Sequence, residues 1–179
     1  MGYKNLMVDI GDDFVAVITL NRPEHLNTFN TPLALELIGA FEELDKDNRV
    51  RVIIVKGQGK GFCAGIDIKE FFDKSTIEYL QWVELMEKPL FIISQMRKPV
   101  IAQVHGVAAA NGAGLVGASD LAIAAENARI GLTAINVGLN CVGPGIPVSR
   151  SIGRKRALEL LYCGEMVQAK TALEMGLIN

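Results

Sequence analysis

A short apolar run rich in β-branched residues limits the folds that are open to this chain. Residues 50–55 read Val-Arg-Val-Ile-Ile-Val, and the run stops at the glycine-rich stretch of residues 56–61. Strands of this kind are typical of sheets that are covered on both faces, which in proteins are mostly parallel sheets flanked by helices. The run therefore predicts a central strand in an α/β fold.

The segments before this run predict a hairpin followed by an amphipathic helix. Residues 6–10 and 14–20 are apolar, and Gly11-Asp12-Asp13 between them favours a tight turn. Asn30-Thr31-Pro32 then supplies a helix cap and a first-turn proline, and apolar residues recur at helical spacing over residues 33–44. The predicted order is strand, strand, helix, strand.

The rest of the chain continues the alternation of strands and helices. The pattern predicts strands at residues 100–104 and 121–124, and a close-packed glycine- and alanine-rich helix at residues 112–118. Further helices are predicted at residues 68–72, 77–96, 154–162 and 169–175. We expect one compact domain over residues 1–179, because a chain of this length buries a sizeable core and no linker interrupts it.

Composition and charge exclude several classes of function. A net charge of −2 without a basic cluster predicts no nucleic-acid partner, and the apolar runs are too short to predict a membrane partner. The first residues do not form a signal peptide, so we expect a cytoplasmic protein. Cys63, Cys141 and Cys163 lack the spacing of a disulfide framework or a zinc site, and we expect free thiols and no bound metal.

Five segments, taken in order, resemble the crotonase superfamily, which is the enoyl-CoA hydratase/isomerase family. They are Asn-Arg-Pro-Glu-His-Leu-Asn at residues 21–27, the strand at 50–55, Gly-Phe-Cys-Ala-Gly-Ile-Asp-Ile-Lys-Glu at 61–70, Lys-Pro-Val-Ile-Ala at 98–102 and Ser-Asp-Leu-Ala-Ile-Ala at 119–124. The resemblance implies an α/β fold in which repeated ββα units coil into a spiral. It also implies an acyl-CoA substrate and no separate cofactor, since coenzyme A is part of the substrate.

Members of the superfamily continue beyond the position of Asn179 into helices that cover the acyl pocket and help to form trimers. Three explanations for the missing helices stay open: the sequence is part of a longer chain, the tail was not observed, or the protein is a shortened homologue. We favour the first two explanations. The resemblance implies a homotrimer or a hexamer where the C-terminal region is present.

The resemblance also implies how the thioester is held. The two backbone amides of the oxyanion hole fall on Ile66, after Ala64-Gly65, and on Asn111, before Gly112. Because the amide and not the side chain donates, either position tolerates different side chains. For substrate binding, the resemblance places Leu26 and Asn27 beside the nucleotide, and Ala64, Ile66 and Ile68 near the adenine and the pantetheine.

The resemblance does not extend to the acid/base residues of a hydratase. A hydratase of this superfamily uses two glutamates, and counting along the matching motifs places Gly114 and Ala134 at the two positions. Neither side chain can transfer a proton, so hydration by paired glutamates is not expected. Some relatives instead carry a catalytic aspartate in a loop that here contains Asn140 and Cys141, and we take these two as the remaining catalytic candidates.

Three readings of the function follow. We favour an acyl-CoA enzyme of the hydratase/isomerase type, acting as a lyase or isomerase in fatty acid metabolism, with altered chemistry. The alternatives are a non-catalytic acyl-CoA-binding homologue and a thioester hydrolase that uses Cys141 as the nucleophile. A dinucleotide-binding domain is excluded, because no Gly-x-Gly-x-x-Gly motif lies between a strand and a helix.

Three acidic residues near these motifs are expected to have other roles. Asp67 and Asp120 precede a predicted helix and a predicted strand, where capping or hydrogen bonding explains a carboxylate better than catalysis does. Glu70 is expected to be solvated.

Overall fold

The computed structural model describes residues 2–179 and contains eight strands and six α-helices over that range. The strands are β1 (Leu6–Ile10), β2 (Val15–Leu20), β3 (Val52–Gly57), β4 (Val100–Val104), β5 (Val107–Ala109), β6 (Leu121–Ala124), β7 (Arg129–Gly131) and β8 (Met166–Gln168). The helices are α1 (Thr31–Lys46), α2 (Thr76–Ile93), α3 (Asn111–Ala118), α4 (Val142–Ile152), α5 (Arg154–Cys163) and α6 (Ala169–Met175). Short 3-10 helices lie at Pro23–His25, Ile68–Glu70 and Thr133–Val137.

Two sheets organise the molecule. The larger sheet has the order β1-β2-β3-β4-β6, in which β1 and β2 form an antiparallel hairpin and all later pairings are parallel. The smaller sheet has the order β5-β7-β8, with β5 and β7 parallel and β7 and β8 antiparallel. The residues of β3 were predicted to form a buried parallel strand, and β3 does lie between β2 and β4.

Successive strands pass from the larger sheet to the smaller one, which gives the chain its repeated layout. β4 belongs to the larger sheet, β5 to the smaller sheet, and α3 follows them. β3 is followed by Cys63, which forms an isolated bridge to Ala108 of β5, and then by α2. This ββα repetition confirms the α/β spiral fold that the resemblance implies.

The predicted cap of α1 is present. The Asn30 side chain accepts a hydrogen bond from the Leu33 amide at 3.0 Å, and Pro32 lies in the first turn. This helix buries an apolar face against the larger sheet and α2. The buried residues of α1 are Leu33, Ala34, Leu37, Ile38, Ala40, Phe41 and Leu44.

Several predicted boundaries differ from the structure. The strand predicted at residues 50–55 forms two residues later, because pairing with β2 begins at the Val15–Val52 register. The helix predicted at residues 68–72 is a single 3-10 turn at Ile68–Glu70, and the one predicted at residues 77–96 is α2, Thr76–Ile93. The predictions at residues 100–104, 121–124 and 169–175 agree with β4, β6 and α6.

The sequence analysis did not predict α4, because its glycines and prolines are typical of a turn. This helix reads Val-Gly-Pro-Gly-Ile-Pro-Val-Ser-Arg-Ser-Ile, and glycine and proline normally interrupt helices. Here the glycines allow α3 and α4 to approach closely: a Cβ on Gly117 would lie 2.8 Å from the Val148 amide nitrogen. Tertiary packing therefore outweighs low helix propensity in this segment.

No helix among residues 2–179 combines the length and the apolar character that a membrane crossing requires. The same range contains no group of three or more histidine, cysteine, aspartate or glutamate side chains placed to hold a metal ion. The three cysteines are free thiols, and Cys63 and Cys141 are buried whereas Cys163 is exposed.

Candidate active site

A cavity of about 90 Å³ lies between α2, the start of α3 and the segment that leads into α4. Ile66 and Asn111, the two predicted oxyanion-hole residues, both border it. Asn140 and Cys141 border it as well, as does Ala134. The residues that the sequence singled out for chemistry therefore meet in one place.

One wall of the cavity is formed by α2. This helix contributes Tyr79, Trp82, Val83, Met86 and Glu87. Tyr79 and Trp82 also belong to an aromatic cluster with Phe71, whose ring centroid lies 5.0 Å from that of Tyr79. The wall is therefore mostly apolar and aromatic, which suits an acyl chain better than a charged group.

The loop that contains Ile66 is held at fixed positions along its backbone. The Phe29 amide donates to the Gly65 carbonyl at 2.7 Å, and the Asp67 amide donates to the Phe29 carbonyl at 2.6 Å. Gly65 has a φ of +108°, a conformation that residues with a Cβ rarely adopt. These bonds fix the residues on both sides of Ile66 and leave its own amide without an acceptor among residues 2–179.

The Asn111 amide is the first of α3, where helix geometry provides no acceptor for it. The first backbone bond of this helix runs from the Gly114 amide to the Ala110 carbonyl at 2.9 Å. Ala110 has a φ of 49° and a ψ of −111°, an unusual conformation for a residue with a side chain. This strained turn directs the start of α3 towards the cavity.

The Asn111 side chain is occupied elsewhere. Its Nδ2 donates to the carbonyl of Met86 in α2 at 2.8 Å, and the residue is only 6% exposed. This bond joins the two helices that form the cavity. The Asn111 side chain therefore joins α3 to α2, and its backbone amide is left without an acceptor at a residue that borders the cavity.

Close packing holds together the two segments that carry these amides. A Cβ on Gly112 would overlap the backbone carbonyl of Cys63, so the start of α3 lies against the loop of residues 62–66. Both N–H groups lack an acceptor and belong to residues that border one cavity, and their role as oxyanion-hole donors stays a prediction. The positive end of the α3 dipole would add to the attraction for a negatively charged oxygen.

The predicted substrate-binding residues other than Ile66 do not border the cavity. The Ala64 amide donates to the Leu26 carbonyl at 3.0 Å, which joins two of them. Leu26 and Ile68 are 40% and 49% exposed, a large fraction for such side chains. They form an exposed apolar edge on which contact with a nucleotide stays a prediction.

Asn27 has a different environment from Leu26. It is fully buried, and its Oδ1 accepts from the Arg22 amide at 2.9 Å. Its Nδ2 donates to the carbonyls of Gln58 and Gly61, both at 2.9 Å. The side chain thus joins two loops, and the predicted contact of Asn27 with a ligand stays a prediction.

Asp67 caps and braces the same loop, as expected. Its Oδ2 accepts from the Arg22 guanidinium at 3.0 Å, and its Oδ1 accepts from the Lys69 amide at 3.3 Å. Burial by itself would raise the pKa of Asp67, but the bonds from Arg22 and Lys69 outweigh it and lower the pKa. Asp120 is likewise structural, since it accepts from the Val100 amide at 2.7 Å.

Glu70 is not the solvated residue that the sequence predicts. Its Oε2 accepts from the Thr31 amide at 2.7 Å, from the Thr31 hydroxyl at 2.8 Å and from the Trp82 indole at 3.2 Å. The carboxylate therefore joins the start of α1 to α2. The prediction failed because these partners are distant in the sequence.

The two positions of the absent glutamates are not equivalent. A Cβ on Gly114 would lie 2.8 Å from Leu90 Cδ1 and 3.0 Å from Pro144 Cβ, so that position is closed by side chains of α2 and α4. Ala134 is half-buried and borders the cavity. Only position 134 has room for a longer side chain.

Asn140 and Cys141 differ in their environments. Asn140 is exposed, whereas Cys141 is only 4% exposed. Burial raises the pKa of the Cys141 thiol, and the nearby Ala134 amide opposes this only in part. At neutral pH the thiol stays protonated, which weakens it as a nucleophile. A catalytic role for either residue stays a prediction.

Glu87 is the site residue that the sequence analysis missed. It is half-buried, and it is the one carboxylate among the described residues that border the cavity. The available signal was helical spacing: Glu87 follows Val83 by four residues and precedes Leu90 by three, so it lies on the apolar side of α2. A charged residue on that side predicts a function or a buried partner.

Proteins with similar sequences belong to the family that the sequence motifs resemble. The family described as "Enoyl-CoA hydratase/isomerase" matches residues 11–179. A putative enoyl-CoA hydratase of Thermus thermophilus is 35% identical over 178 residues, which are 97% of this chain and 70% of that protein. A trans-2-decenoyl-[acyl-carrier-protein] isomerase of Streptococcus mutans is 33% identical, over 99% of this chain and 69% of its own length.

Solved structures give the same result for the fold. An enoyl-CoA hydratase of Mycobacterium smegmatis superposes with a TM-score of 0.95 at 40% sequence identity, covering 98% of this chain and 69% of that one. A putative enoyl-CoA hydratase/isomerase (crotonase) from Legionella pneumophila has a TM-score of 0.94 at 32% identity, over 99% of this chain and 69% of that one. These relatives extend beyond the length that this chain spans.

Proposed function

Because this chain belongs to the enoyl-CoA hydratase/isomerase family, we propose that it binds an acyl-CoA thioester and stabilises negative charge on the thioester oxygen. The observation that carries this proposal is the pair of amides, Ile66 and Asn111, which lack acceptors and border one apolar cavity. A thioester oxygen gains negative charge when the α-carbon loses a proton, and donors fixed in advance lower the barrier to that step.

The chemistry best suited to this site is proton transfer next to the thioester. Hydration by two glutamates is not expected, because Gly114 and Ala134 occupy their positions. Stabilisation of an enolate needs only the two amides and one base. Relatives described as isomerases, such as the Streptococcus mutans protein, fit this class of reaction.

The coenzyme A part of the ligand is expected to lie along the edge formed by Leu26, Ala64 and Ile68. Leu26 and Ile68 expose large apolar side chains beside the loop that carries the Ile66 amide. A non-catalytic acyl-CoA-binding protein would have the same edge and the same amides. The two functions differ in whether bound thioester exchanges its α-protons with water.

A hydrolase that uses Cys141 is the weaker alternative. Its thiol borders the cavity, but burial raises its pKa, and among residues 2–179 no histidine borders the same cavity to act as its base. Such a nucleophile would be mostly protonated at neutral pH.

The test compares two substitutions of Asn111 by isothermal titration with butyryl-CoA. Asn111→Ala removes the bond to Met86 but keeps the amide, whereas Asn111→Pro also removes the amide at a helix position that tolerates proline. We expect Asn111→Pro to bind butyryl-CoA about five- to tenfold more weakly than Asn111→Ala, since one hydrogen bond contributes about 1 kcal/mol.

Free coenzyme A provides the control for that titration, because it lacks the carbonyl oxygen that the amide binds. Its affinity should be the same for the two variants, and circular dichroism should show that both are folded. Equal affinity of the two variants for butyryl-CoA would remove the proposed role of the Asn111 amide. If the unsubstituted protein binds no acyl-CoA, the proposed function is wrong.

A further inference from the structure

Glu87 is placed where a base for the thioester is needed. It borders the same cavity as Ile66 and Asn111, and its carboxylate contacts Gly143, which follows Cys141 by two residues. The cavity is small, with a volume of about 90 Å³. A carboxylate on one wall and two amide donors on another are the parts that enolate formation requires.

Glu87 lies between the cavity and an adjoining groove that Gly143 borders, and its contact with Gly143 fixes the carboxylate at this boundary. The Cδ and Oε1 atoms of Glu87 occupy the space that a side chain at position 143 would fill. Gly143 lies in the first turn of α4, so the carboxylate also faces the positive end of that helix dipole. The absence of a side chain at position 143 is therefore what makes room for Glu87.

The surroundings of Glu87 favour a carboxyl group that can both accept and donate a proton. Burial raises the pKa of Glu87, and the hydrogen bond from the Gly143 amide opposes the shift without cancelling it. The titratable groups that share its cavity or the adjoining groove are Tyr79, Cys141 and Arg150. A carboxyl group with a raised pKa exchanges protons more readily near neutral pH than an ordinary glutamate does.

Resting on the proposed function, we propose that Glu87 is the catalytic base, and then the acid, for proton transfer on the bound thioester. The carboxylate removes a proton from the α-carbon, and the C–H electron pair moves into an enolate whose oxygen accepts from the Ile66 and Asn111 amides. With a 3-enoyl thioester, protonated Glu87 returns the proton to the γ-carbon and the double bond moves to the 2-position. Atoms and charges balance without a cofactor.

This assignment explains how the site can work without the two hydratase glutamates. Their positions, Gly114 and Ala134, lie on α3 and on the 3-10 helix Thr133–Val137. Glu87 instead reaches the cavity from α2. One carboxylate is enough to move a proton between two carbons, whereas the hydratase uses two for the addition of water.

The experiment measures proton transfer by the whole 179-residue chain in two ways. Butyryl-CoA in deuterated water reports exchange of the α-protons by mass spectrometry, and 3-hexenoyl-CoA reports isomerisation to 2-hexenoyl-CoA by absorbance. Glu87→Gln should lower both rates by about 100-fold or more, the usual effect of removing an acid/base group. Its affinity for butyryl-CoA should change by less than about threefold, because glutamine keeps the size and the hydrogen-bonding groups of the replaced side chain.

Two further variants separate chemistry from folding. Glu84→Gln removes an exposed glutamate of the same helix and should leave both rates unchanged. Gly143→Ala leaves Glu87 in the sequence but places a methyl group where its carboxylate lies, and a flexible side chain can move aside without unfolding the protein. This variant should keep its melting temperature within a few degrees and lose most of the proton transfer.

The pH profile adds a readout that a purely structural role would not move. Exchange by the unsubstituted protein should rise with pH as Glu87 loses its proton, above the ordinary range of a glutamate, and Glu87→Gln should lack this rise. Exchange in Glu87→Gln within threefold of the unsubstituted rate would overturn the assignment. Binding of butyryl-CoA without any exchange would also overturn it, and would leave the proposed binding function intact.

Discussion

The carbonyl of Cys63 occupies the space that a side chain on Gly112 would need. Cys63 belongs to the loop that carries Ile66, and Gly112 directly follows Asn111, so this contact holds that loop against the start of α3. Packing between a loop and a helix start is therefore part of the binding site.

Gly112→Ala should lower both stability and ligand affinity. The new methyl group meets backbone atoms that cannot rotate away, and overpacking of this kind costs about 1 to 3 kcal/mol. Urea unfolding and titration with butyryl-CoA measure the two effects. The matched control is Gly39→Ala in α1, where a Cβ would have no neighbour within 4 Å. That variant should be unchanged or up to about 1 kcal/mol more stable. Identical behaviour of the two variants would contradict this role of the contact between Cys63 and Gly112.

Hydration of crotonyl-CoA should be at least about 100-fold slower than in a relative with both glutamates, because each acid/base group contributes about 10² or more. Restoring the first glutamate should not help: Gly114→Glu would collide with Leu90 and Pro144 and lower the melting temperature. Ala134→Glu should fold, since position 134 borders the cavity. Rapid hydration by the unsubstituted protein, measured by loss of the enoyl absorbance, would show that another pair of groups performs it.

The three thiols should react with iodoacetamide at different rates. Cys163 is exposed and should be alkylated first, which peptide mass spectrometry follows. Burial raises the pKa of Cys63 to about 12, and that of Cys141 is also raised by burial, so both should react at least about tenfold more slowly. Cys141→Ser should leave proton exchange in butyryl-CoA nearly unchanged. Preferential alkylation of Cys141, with loss of thioester hydrolysis, would instead favour the hydrolase.

Asp67→Asn should destabilise the loop that carries Ile66. The ion pair with Arg22 is largely buried, with exposed side-chain fractions of 9% for Arg22 and 14% for Asp67, so we expect a loss of about 1 to 3 kcal/mol at pH 7. The pKa of Asp67 is lowered in the folded state from the ordinary 3.8, so its contribution is present above that value. It is lost as the pH falls through the lower, folded-state value.

Thermal unfolding at pH 7 and at pH 3 measures this dependence. The difference between Asp67→Asn and the unsubstituted protein should shrink at the lower pH. Glu24→Gln is the control, because Glu24 and its partner His25 have exposed side-chain fractions of 64% and 45%. Such surface pairs contribute little. A constant difference at both pH values would show that the pair with Arg22 does not depend on ionisation of Asp67.

Local sequence signals predicted the elements that depend on local chemistry. The cap at Asn30 and the glycine that ends α6, with a φ of +83° at Gly176, follow from residues within one turn of each helix. The strands β5, β7 and β8 have three residues each and were not predicted. Segments that short show no periodicity, and only pairing in three dimensions defines them.

For the site as well, the sequence predicted what depends on local motifs and missed what depends on contacts between distant segments. The motifs around Ile66 and Asn111 led to two residues that do border one cavity, and their role as oxyanion-hole donors stays a prediction. Glu87 was missed because its importance depends on which side of α2 faces α4, and on Gly143 leaving space for its carboxylate. Glu70 was misjudged for a similar reason, since its partners Thr31 and Trp82 lie 39 and 12 residues away. A single sequence does not show which distant segments are in contact.

The two donors of this site belong to the peptide backbone, and this affects how the protein can change over generations. A side-chain acid such as Glu87 can be lost through one nucleotide change, whereas the N–H of Ile66 or Asn111 survives replacement by any residue other than proline. No single nucleotide change turns an isoleucine or an asparagine codon into a proline codon. The proposed oxygen-binding donors are thus less sensitive to single mutations than the proposed proton-transfer residue is. New reactions can therefore arise here by moving one carboxylate around a fixed pair of amides.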